Sequence, residues 1–275
     1  MIDGTLPPLS SSSPNGVLTS FFLGHEWNPR FFGIDVKMVL YAIGAIQLQL
    51  NVLSFSSYQL SAWEGEISVA MTLYCILFTW FLGEYMLFEA VHLYTYDLFA
   101  EKIGFKLIWG CLTFYPYFYP ICGYYLAQVP KGNDISAAVA CVILFVFLTG
   151  WVITRGANMQ KFFFRRYPSS QTFLFGLVKQ KTVPGSRILC GGWWGVARHF
   201  NYLGEIIQAF SLSLPLLVLA GDYTGRIVAL SYPLYYVLLF VPRQIDDDAL
   251  CRIKYKKLWD DYEALVPWRI CPFVY

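Results

Sequence analysis

Residues 134–154 read D-I-S-A-A-V-A-C-V-I-L-F-V-F-L-T-G-W-V-I-T, and the only charged residue in this run is Asp134 at its start. A membrane-spanning helix needs about 20 predominantly apolar residues, so the run is long enough to cross a bilayer. Further apolar runs of similar length lie at about 36–56, 66–88, 105–128, 204–221 and 225–242. The sequence therefore predicts an all-α polytopic integral membrane helical bundle of about six transmembrane helices.

The composition agrees with this class and excludes others. Hydrophobic residues make up 57% of the chain and charged residues only 14%, whereas soluble domains carry about 25% charged residues. The formal net charge of +2 is too small to indicate a nucleic-acid partner. The seven cysteines lack the paired spacing of a zinc site or a disulfide framework, and only three histidines are present, so we expect no metal.

Basic residues predict the orientation in the membrane. They concentrate in the segment 155–203 and after residue 242, whereas the loops on the opposite side hold little more than Lys131 and Arg226. Because positively charged loops stay in the cytosol, we expect both termini and the 155–203 segment there. Residues 1–17 are rich in Pro and Ser and are predicted to be a disordered tail that precedes a single membrane domain, 18–275.

The segment 191–205 reads G-G-W-W-G-V-A-R-H-F-N-Y-L-G-E. Glycines allow close backbone approach, Trp and Tyr offer flat faces, and the Arg198 guanidinium suits phosphate, which together indicate the wall of a nucleotide or cofactor site. An interfacial aromatic belt, with Arg198 extended toward the headgroups, explains the same residues equally well.

Two groups of charged residues flank this segment. Lys161 and Arg165 are spaced i, i+4 on a helix predicted to emerge from the 134–154 span, and they either clamp a phosphate or form a basic collar at the membrane surface. Arg243 and the acids 246–248 follow the last span. These acids begin a helix, bind ribose hydroxyls or orient arginine side chains.

Polar residues within or beside the first three spans also need an explanation. Gln47, Gln49 and Asn51 interrupt the first span, which favours a helix packed against other helices. Acids at the edge of the second span and beyond it indicate a functional site by default, since a charge in a membrane is costly. These acids are Glu84, Glu89, Asp97 and Glu101, and on a helix Asp97 and Glu101 share a face.

Four blocks resemble the sterol reductase family, which includes the Δ14- and Δ7-sterol reductases and the membrane domain of the lamin B receptor. They are F-F-L-G-H-E-W-N-P-R at 21–30, N-M-Q-K-F-F-F-R at 158–165, G-W-W-G-V-A-R-H-F-N-Y-L-G-E at 192–205, and a block at 247–272 containing C-R-I-K-Y-K-K-L-W-D-D-Y and V-P-W-R-I. The chain is expected to be a short, divergent member that lacks several N-terminal spans.

The resemblance implies an enzyme of the endoplasmic reticulum membrane that uses NADPH to reduce a carbon–carbon double bond in a sterol nucleus, Δ14 first and Δ7 next. The ring is protonated and the cation then accepts hydride. The cofactor region would be about 155–275, with a cofactor set of Lys161, Arg165, Leu189, Trp194, Asn201, Tyr202, Arg243, Asp247 and Tyr255. The candidates for the proton donor are Asp97, Glu101, Glu89 and Tyr119.

Three alternatives remain open from the sequence. The substrate is a sterol-like polycyclic terpenoid, or the chain is a non-catalytic scaffold, or it is a membrane methyltransferase of the isoprenylcysteine type that uses S-adenosylmethionine. Lys161 and Arg165 favour NADPH, because a 2′-phosphate needs cations. The expected partners are the sterol or terpenoid and membrane lipid, with no obligate protein partner.

Overall fold

The computed structural model describes residues 16–92 and 101–275. Within them, five helices are long and apolar enough to cross a membrane: Val36–Ala62, Val69–Leu87, Ala137–Arg166, Phe200–Leu219 and Tyr223–Tyr255. In chain order the helices are α1 (Val17–Leu23), α2 (Val36–Ala62), α3 (Val69–Leu87), α4 (Glu89–His92), α5 (Phe105–Trp109), α6 (Tyr115–Phe118), α7 (Ile121–Leu126), α8 (Ala137–Arg166), α9 (Phe200–Leu219), α10 (Tyr223–Tyr255) and α11 (Lys257–Leu265). The predicted all-α polytopic membrane class is confirmed.

The run predicted as a span at 105–128 is divided into short helical pieces. A π-helical turn, Gly110–Phe114, separates α5 from α6, and Pro120 lies between α6 and α7. Proline has no backbone N–H and clashes with the preceding turn, which interrupts a regular helix. The sequence predicted about six spans. The described residues contain five continuous helices of spanning length and this sixth, broken segment.

Polar side chains of α2 bind the broken segment. Asn51 donates to the carbonyl of Pro116 at 2.9 Å, Gln59 donates to the carbonyl of Leu126 at 2.9 Å, and the Trp63 indole donates to Val129 at 3.2 Å. Carbonyls freed from a helix need such partners where water is absent. The prediction that polar residues in the first span pack against other helices is therefore confirmed for Asn51.

Loop carboxylates and hydroxyls cap the spanning helices. Ser68 caps α3 through its hydroxyl, which accepts from Met71 N at 3.0 Å. The Asp134 carboxylate also accepts from Val69 N at 2.6 Å and from Ala70 N at 3.0 Å. These bonds satisfy backbone donors that an α-helix leaves unpaired at its start. They also tie the segment before α8 to the first turn of α3.

Two short antiparallel hairpins lie outside the bundle. The first pairs β1 (Arg30–Phe31) with β2 (Ile34–Asp35), and the second pairs β3 (Thr172–Phe173) with β4 (Val178–Lys179) between α8 and α9. The N-terminal block packs on the start of α5, where the ring of Phe21 stacks on that of Phe105 at 5.4 Å.

Helices α8 and α9 approach closely at two glycines. A Cβ built on Gly204 would lie 2.3 Å from the Thr154 hydroxyl and 2.6 Å from the Gly150 carbonyl, distances that side-chain carbons do not adopt. The Thr154 hydroxyl donates to the carbonyl of Asn201 at 3.0 Å across the same contact. Small residues allow this backbone approach in membrane bundles, and here it fixes the start of α9 against the end of α8.

Candidate functional site

The last spanning helix continues well past its apolar part. The apolar run ends near residue 242, but α10 extends without interruption to Tyr255. Arg243, Asp247 and Tyr255 therefore lie on one continuous helix that projects from the bundle. The interpretation of acids 246–248 as the start of a helix is wrong, because they lie in its interior and Asp248 binds an arginine.

The Gly191–Gly195 segment folds back onto α8. Gly192–Gly195 form a 3₁₀ turn, and Gln160 of α8 donates to the carbonyl of Gly191 at 2.9 Å and accepts from Trp193 N at 3.0 Å. Gly192 has φ +65°, and a Cβ there would lie 2.6 Å from the Gln160 amide, so glycine is required on both counts. The tryptophans are thus fixed against the end of α8.

Trp194 and Lys161 form the centre of the candidate site. The Trp194 indole donates to the carbonyl of Ala157 at 2.9 Å, and the Lys161 ammonium lies 5.3 Å from the centre of the indole ring. Lys161 is also within electrostatic range of Arg165, one turn further along α8, and of Asp247 on α10. The cations on α8 therefore lie within electrostatic range of a carboxylate on α10, and we call the space between Lys161 and Asp247 the cofactor gap.

Tyr202 connects this gap to α10. Its hydroxyl donates to the Asp247 carboxylate at 3.0 Å, and its ring stacks on Phe240 with centroids 4.4 Å apart. The Arg243 guanidinium lies 5.9 Å from the same Phe240 ring. The structure thus brings Tyr202, Arg243 and Asp247 together around one aromatic stack.

Asn201 borders the same gap from α9. Its amide nitrogen donates to the Asn158 side chain of α8 at 3.2 Å. The oxygen Oδ1 of the same side-chain amide is buried and has no hydrogen-bond partner among the described residues. A buried acceptor without a donor is costly, which makes this oxygen a natural contact for a polar ligand.

Leu189 and Tyr255 lie at the edge of a second apolar cluster. The ring of Tyr255 stacks on Trp259 of α11 at 6.2 Å, and Leu189 is buried beside the cluster after pairing with Thr182. The core of this cluster consists of Val183, Ile188, Trp259, Tyr262 and Val266. Both residues make structural contacts, and their role in cofactor binding stays a prediction.

Arg198 is held by an acid of the 246–248 run, which confirms for Asp248 the interpretation that these acids orient arginine side chains. Its side chain is only 4% exposed and binds the Asp248 carboxylate at 3.1 Å, Glu263 at 3.4 Å and the carbonyl of Val266 at 3.2 Å. A guanidinium held in this way neither binds phosphate nor extends to the headgroups, so both predictions for Arg198 are wrong. We name Arg198, His199, Gln244 and Asp248 the carboxylate clasp.

The carboxylate clasp joins the residues just before α9 to α10. Asp248 also accepts from Gln244 at 2.6 Å and lies 3.0 Å from the His199 ring nitrogen. The Tyr262 hydroxyl donates to the carbonyl of Trp194 at 3.1 Å, and burial raises the pKa of this phenol well above its usual value, so it remains a donor. Trp194 is therefore held from both sides.

The three predicted proton donors among the described residues have different surroundings. Glu89 is exposed on α4, and Glu101 precedes α5 in non-helical backbone, where it forms an ion pair with Lys106 at 2.7 Å. Asp97, and with it the face it was expected to share with Glu101, lies outside the described residues. Tyr119 alone among the described candidates lies within the bundle core, packed against tyrosines of α10.

Glu84, also noted as an acid of the second span, is engaged in a buried ion pair. Its carboxylate binds Arg155 of α8, whose guanidinium lies 4.7 Å from the Phe88 ring. Arg155 is thus buried within the bundle, although the sequence grouped it with the cytosolic basic residues. The pair joins α3 to α8 and explains the acid without a catalytic role.

Comparison with known proteins gives the family. The Ergosterol biosynthesis ERG4/ERG24 family matches residues 10–275. The chain is 35% identical to the Delta(14)-sterol reductase of Arabidopsis thaliana over 92% of its length, and 35% identical to that of Methylotuvimicrobium alcaliphilum over 93%. It is 33% identical to the Delta(14)-sterol reductase TM7SF2 of Mus musculus over 98%.

The matched region is only part of each relative. It covers 66% of the Arabidopsis protein, 58% of the bacterial protein and 63% of the mouse protein. The family match extends through all four sequence blocks that carried the resemblance, including those that form the walls of the candidate site. The chain therefore belongs to the ERG4/ERG24 family of ergosterol biosynthesis.

Proposed function

We propose that this chain reduces a carbon–carbon double bond in a sterol nucleus with NADPH as the hydride donor. The observation that carries the proposal is the gap between α8 and α10, where Lys161 lies over Trp194 and faces the Asp247–Tyr202 pair. The Δ14 bond is favoured, because the relatives that match nearly the whole chain are named Delta(14)-sterol reductases.

The residues around the gap fit a dinucleotide phosphate. Lys161 and Arg165 would hold the 2′-phosphate, and the Trp194 ring offers a flat surface beside them. The Asp247 carboxylate would accept from ribose hydroxyls, and the buried side-chain oxygen of Asn201 would accept from a carboxamide. Arg243, Tyr202, Leu189 and Tyr255 complete the proposed set.

The chemistry needs an acid that is sheltered from water. When bound, the reduced nicotinamide supplies hydride to a carbon that has become cationic. Protonation of the neighbouring ring carbon must come from the chain, because an isolated alkene accepts hydride poorly. Of the described candidates, we favour Tyr119, since it lies in the bundle core beside α10, whereas Glu89 is exposed and Glu101 is paired with Lys106.

The proposed setting is the endoplasmic reticulum membrane, with both termini and the 155–275 cofactor region in the cytosol and residues 18–275 acting as one domain. The basic residues that define the site support this orientation, since Lys161 and Arg165 lie at the C-terminal end of α8, within the basic 155–203 segment. The expected partners are the sterol and membrane lipid.

The test is to incubate microsomes containing the full chain with NADPH deuterated on the transferred position and with Δ14, Δ7 and terpenoid substrates. The expected product is a Δ14-reduced sterol that carries one deuterium. Methyl transfer from S-adenosylmethionine would instead support the methyltransferase, and NADPH binding without any product would support a scaffold.

A further inference from the structure

A cluster of phenols lies two turns along α10 from Arg243, toward the membrane. The Tyr119 ring lies 5.1 Å from Tyr232 and 5.7 Å from Tyr236, and the hydroxyls of Tyr232 and Tyr236 are 3.3 Å apart. Tyr115 joins the cluster through its contact with Tyr119 at 4.7 Å. Tyr119 therefore packs directly against two phenols of α10.

Glu205 faces this cluster from α9. Because Tyr202 of α9 stacks on Phe240 of α10 and the two helices are antiparallel, one turn further along α9 meets one turn earlier on α10. Those positions are Glu205 and Tyr236. Glu205 is partly buried, and it interacts electrostatically with Tyr236 and with Tyr115.

The position of Glu205 links the two halves of the site. It lies one turn beyond Asn201 and Tyr202, which border the cofactor gap, and it interacts with Tyr236 of the phenol cluster. An acid within a spanning helix costs about 2.5–3.5 kcal/mol on insertion scales, so its presence indicates function. A carboxyl between the proposed cofactor residues and the phenol cluster is suitably placed to donate a proton.

We propose that Glu205 supplies the proton for the alkene reduction, through the hydroxyls of Tyr236 and Tyr119; this rests on the function proposed above. The Glu205 carboxyl proton passes to Tyr236 as Tyr236 donates its own to Tyr119, and Tyr119 donates its proton to one alkene carbon. The alkene π pair forms the new C–H bond, and hydride from the nicotinamide fills the cation on the other carbon. The Glu205 carboxylate then regains a proton from water.

The kinetic test compares Glu205→Gln, Glu205→Asp and Tyr236→Phe in microsomes. General-acid catalysis contributes about 100-fold to 10,000-fold, so we expect Glu205→Gln to lower kcat at least about 100-fold with KM for NADPH unchanged. Glu205→Asp, which keeps the carboxyl, should restore part of the rate. Tyr74→Phe removes a fully buried phenol that lies outside the proposed Glu205–Tyr236–Tyr119 proton relay. It serves as the control, with a rate near that of the unmodified chain.

A second measurement does not depend on turnover. Infrared spectroscopy of the purified chain should show a protonated carboxyl band that disappears in Glu205→Gln and shifts in Tyr236→Phe, but not in Tyr74→Phe. If the unmodified chain reduces sterol and Glu205→Gln does so at a similar rate, the relay is overturned while the proposed function stands. If no sterol is reduced, the proposed function fails and the relay with it, and the band then reports only on the Glu205–Tyr236 contact.

Discussion

Replacing Lys161 by alanine tests the cofactor half of the site most directly. The Lys161 ammonium is proposed to bind the 2′-phosphate that NADPH has and NADH lacks. A hydrogen bond to a charged group contributes about 1.5–3 kcal/mol, and about 1.4 kcal/mol corresponds to a tenfold change in Kd. Lys161→Ala should therefore weaken NADPH binding about 10-fold to 150-fold more than it weakens NADH binding.

The contact between Lys161 and Trp194 also contributes to cofactor binding, but its contribution does not depend on the 2′-phosphate. A cation over an indole at 5.3 Å contributes about 0.5–2 kcal/mol, but this contribution stabilises the site whichever cofactor is bound. It therefore changes both dissociation constants together and leaves their ratio intact. The ratio of the NADPH and NADH constants, rather than either constant alone, reports on the phosphate.

The assay is titration of the purified chain in detergent with each cofactor, followed by quenching of tryptophan fluorescence. Arg165→Ala should behave as Lys161→Ala does. Lys179→Ala, which removes an exposed lysine of the same cytosolic segment, is the matched control and should leave the ratio unchanged. An unchanged ratio in both Lys161→Ala and Arg165→Ala would refute the phosphate assignment and return these residues to a basic collar.

Three further predictions concern the fold and its orientation. Gly204→Ala places a methyl group 2.3 Å from Thr154 and should lower the free energy of unfolding by about 1–3 kcal/mol, measured in detergent, whereas Gly83→Ala meets open space and should not. Asp248→Asn breaks the buried pair with Arg198 and should cost about 3–5 kcal/mol by the same measurement, against little change in the exposed Asp246→Asn; equal losses would contradict the clasp. Protease should remove tags from both termini in sealed microsomes and spare a site introduced beside Lys131, and protection of the C-terminal tag would reverse the orientation.

Hydropathy predicted the spans well where the helices are continuous. The run at 134–154 became the apolar part of α8 because a long apolar segment in a bilayer must satisfy its own backbone. Two features were missed because hydropathy reports on side chains only and not on backbone geometry. It did not reveal the π turn at 110–114, and it ended the last span near 242 although the backbone of α10 continues to Tyr255.

The candidate site was only partly predictable, because some of its features are local in sequence and others depend on distant residues. The i, i+4 spacing of Lys161 and Arg165 is local and could be read directly, and α8 does extend far enough to carry both. The environment of Arg198 depends on Asp248 and Glu263, which are distant in sequence, so no local pattern distinguishes a clasped arginine from a free one. Glu205 was visible as an acid in an apolar helix, but its tyrosine neighbours come from other helices.

The bonds from Asn51 and Gln59 to the broken segment bear on the biogenesis of the protein. The carbonyls of Pro116 and Leu126 both accept from α2, and that of Pro116 has no helical donor of its own because residue 120 is proline, so the segment is poorly suited to leave the translocon alone. The amides that satisfy them belong to α2, which is synthesised earlier. We therefore expect the first span to stay beside the translocon until residues 105–126 emerge, so that the two enter the bilayer as a pair rather than in succession.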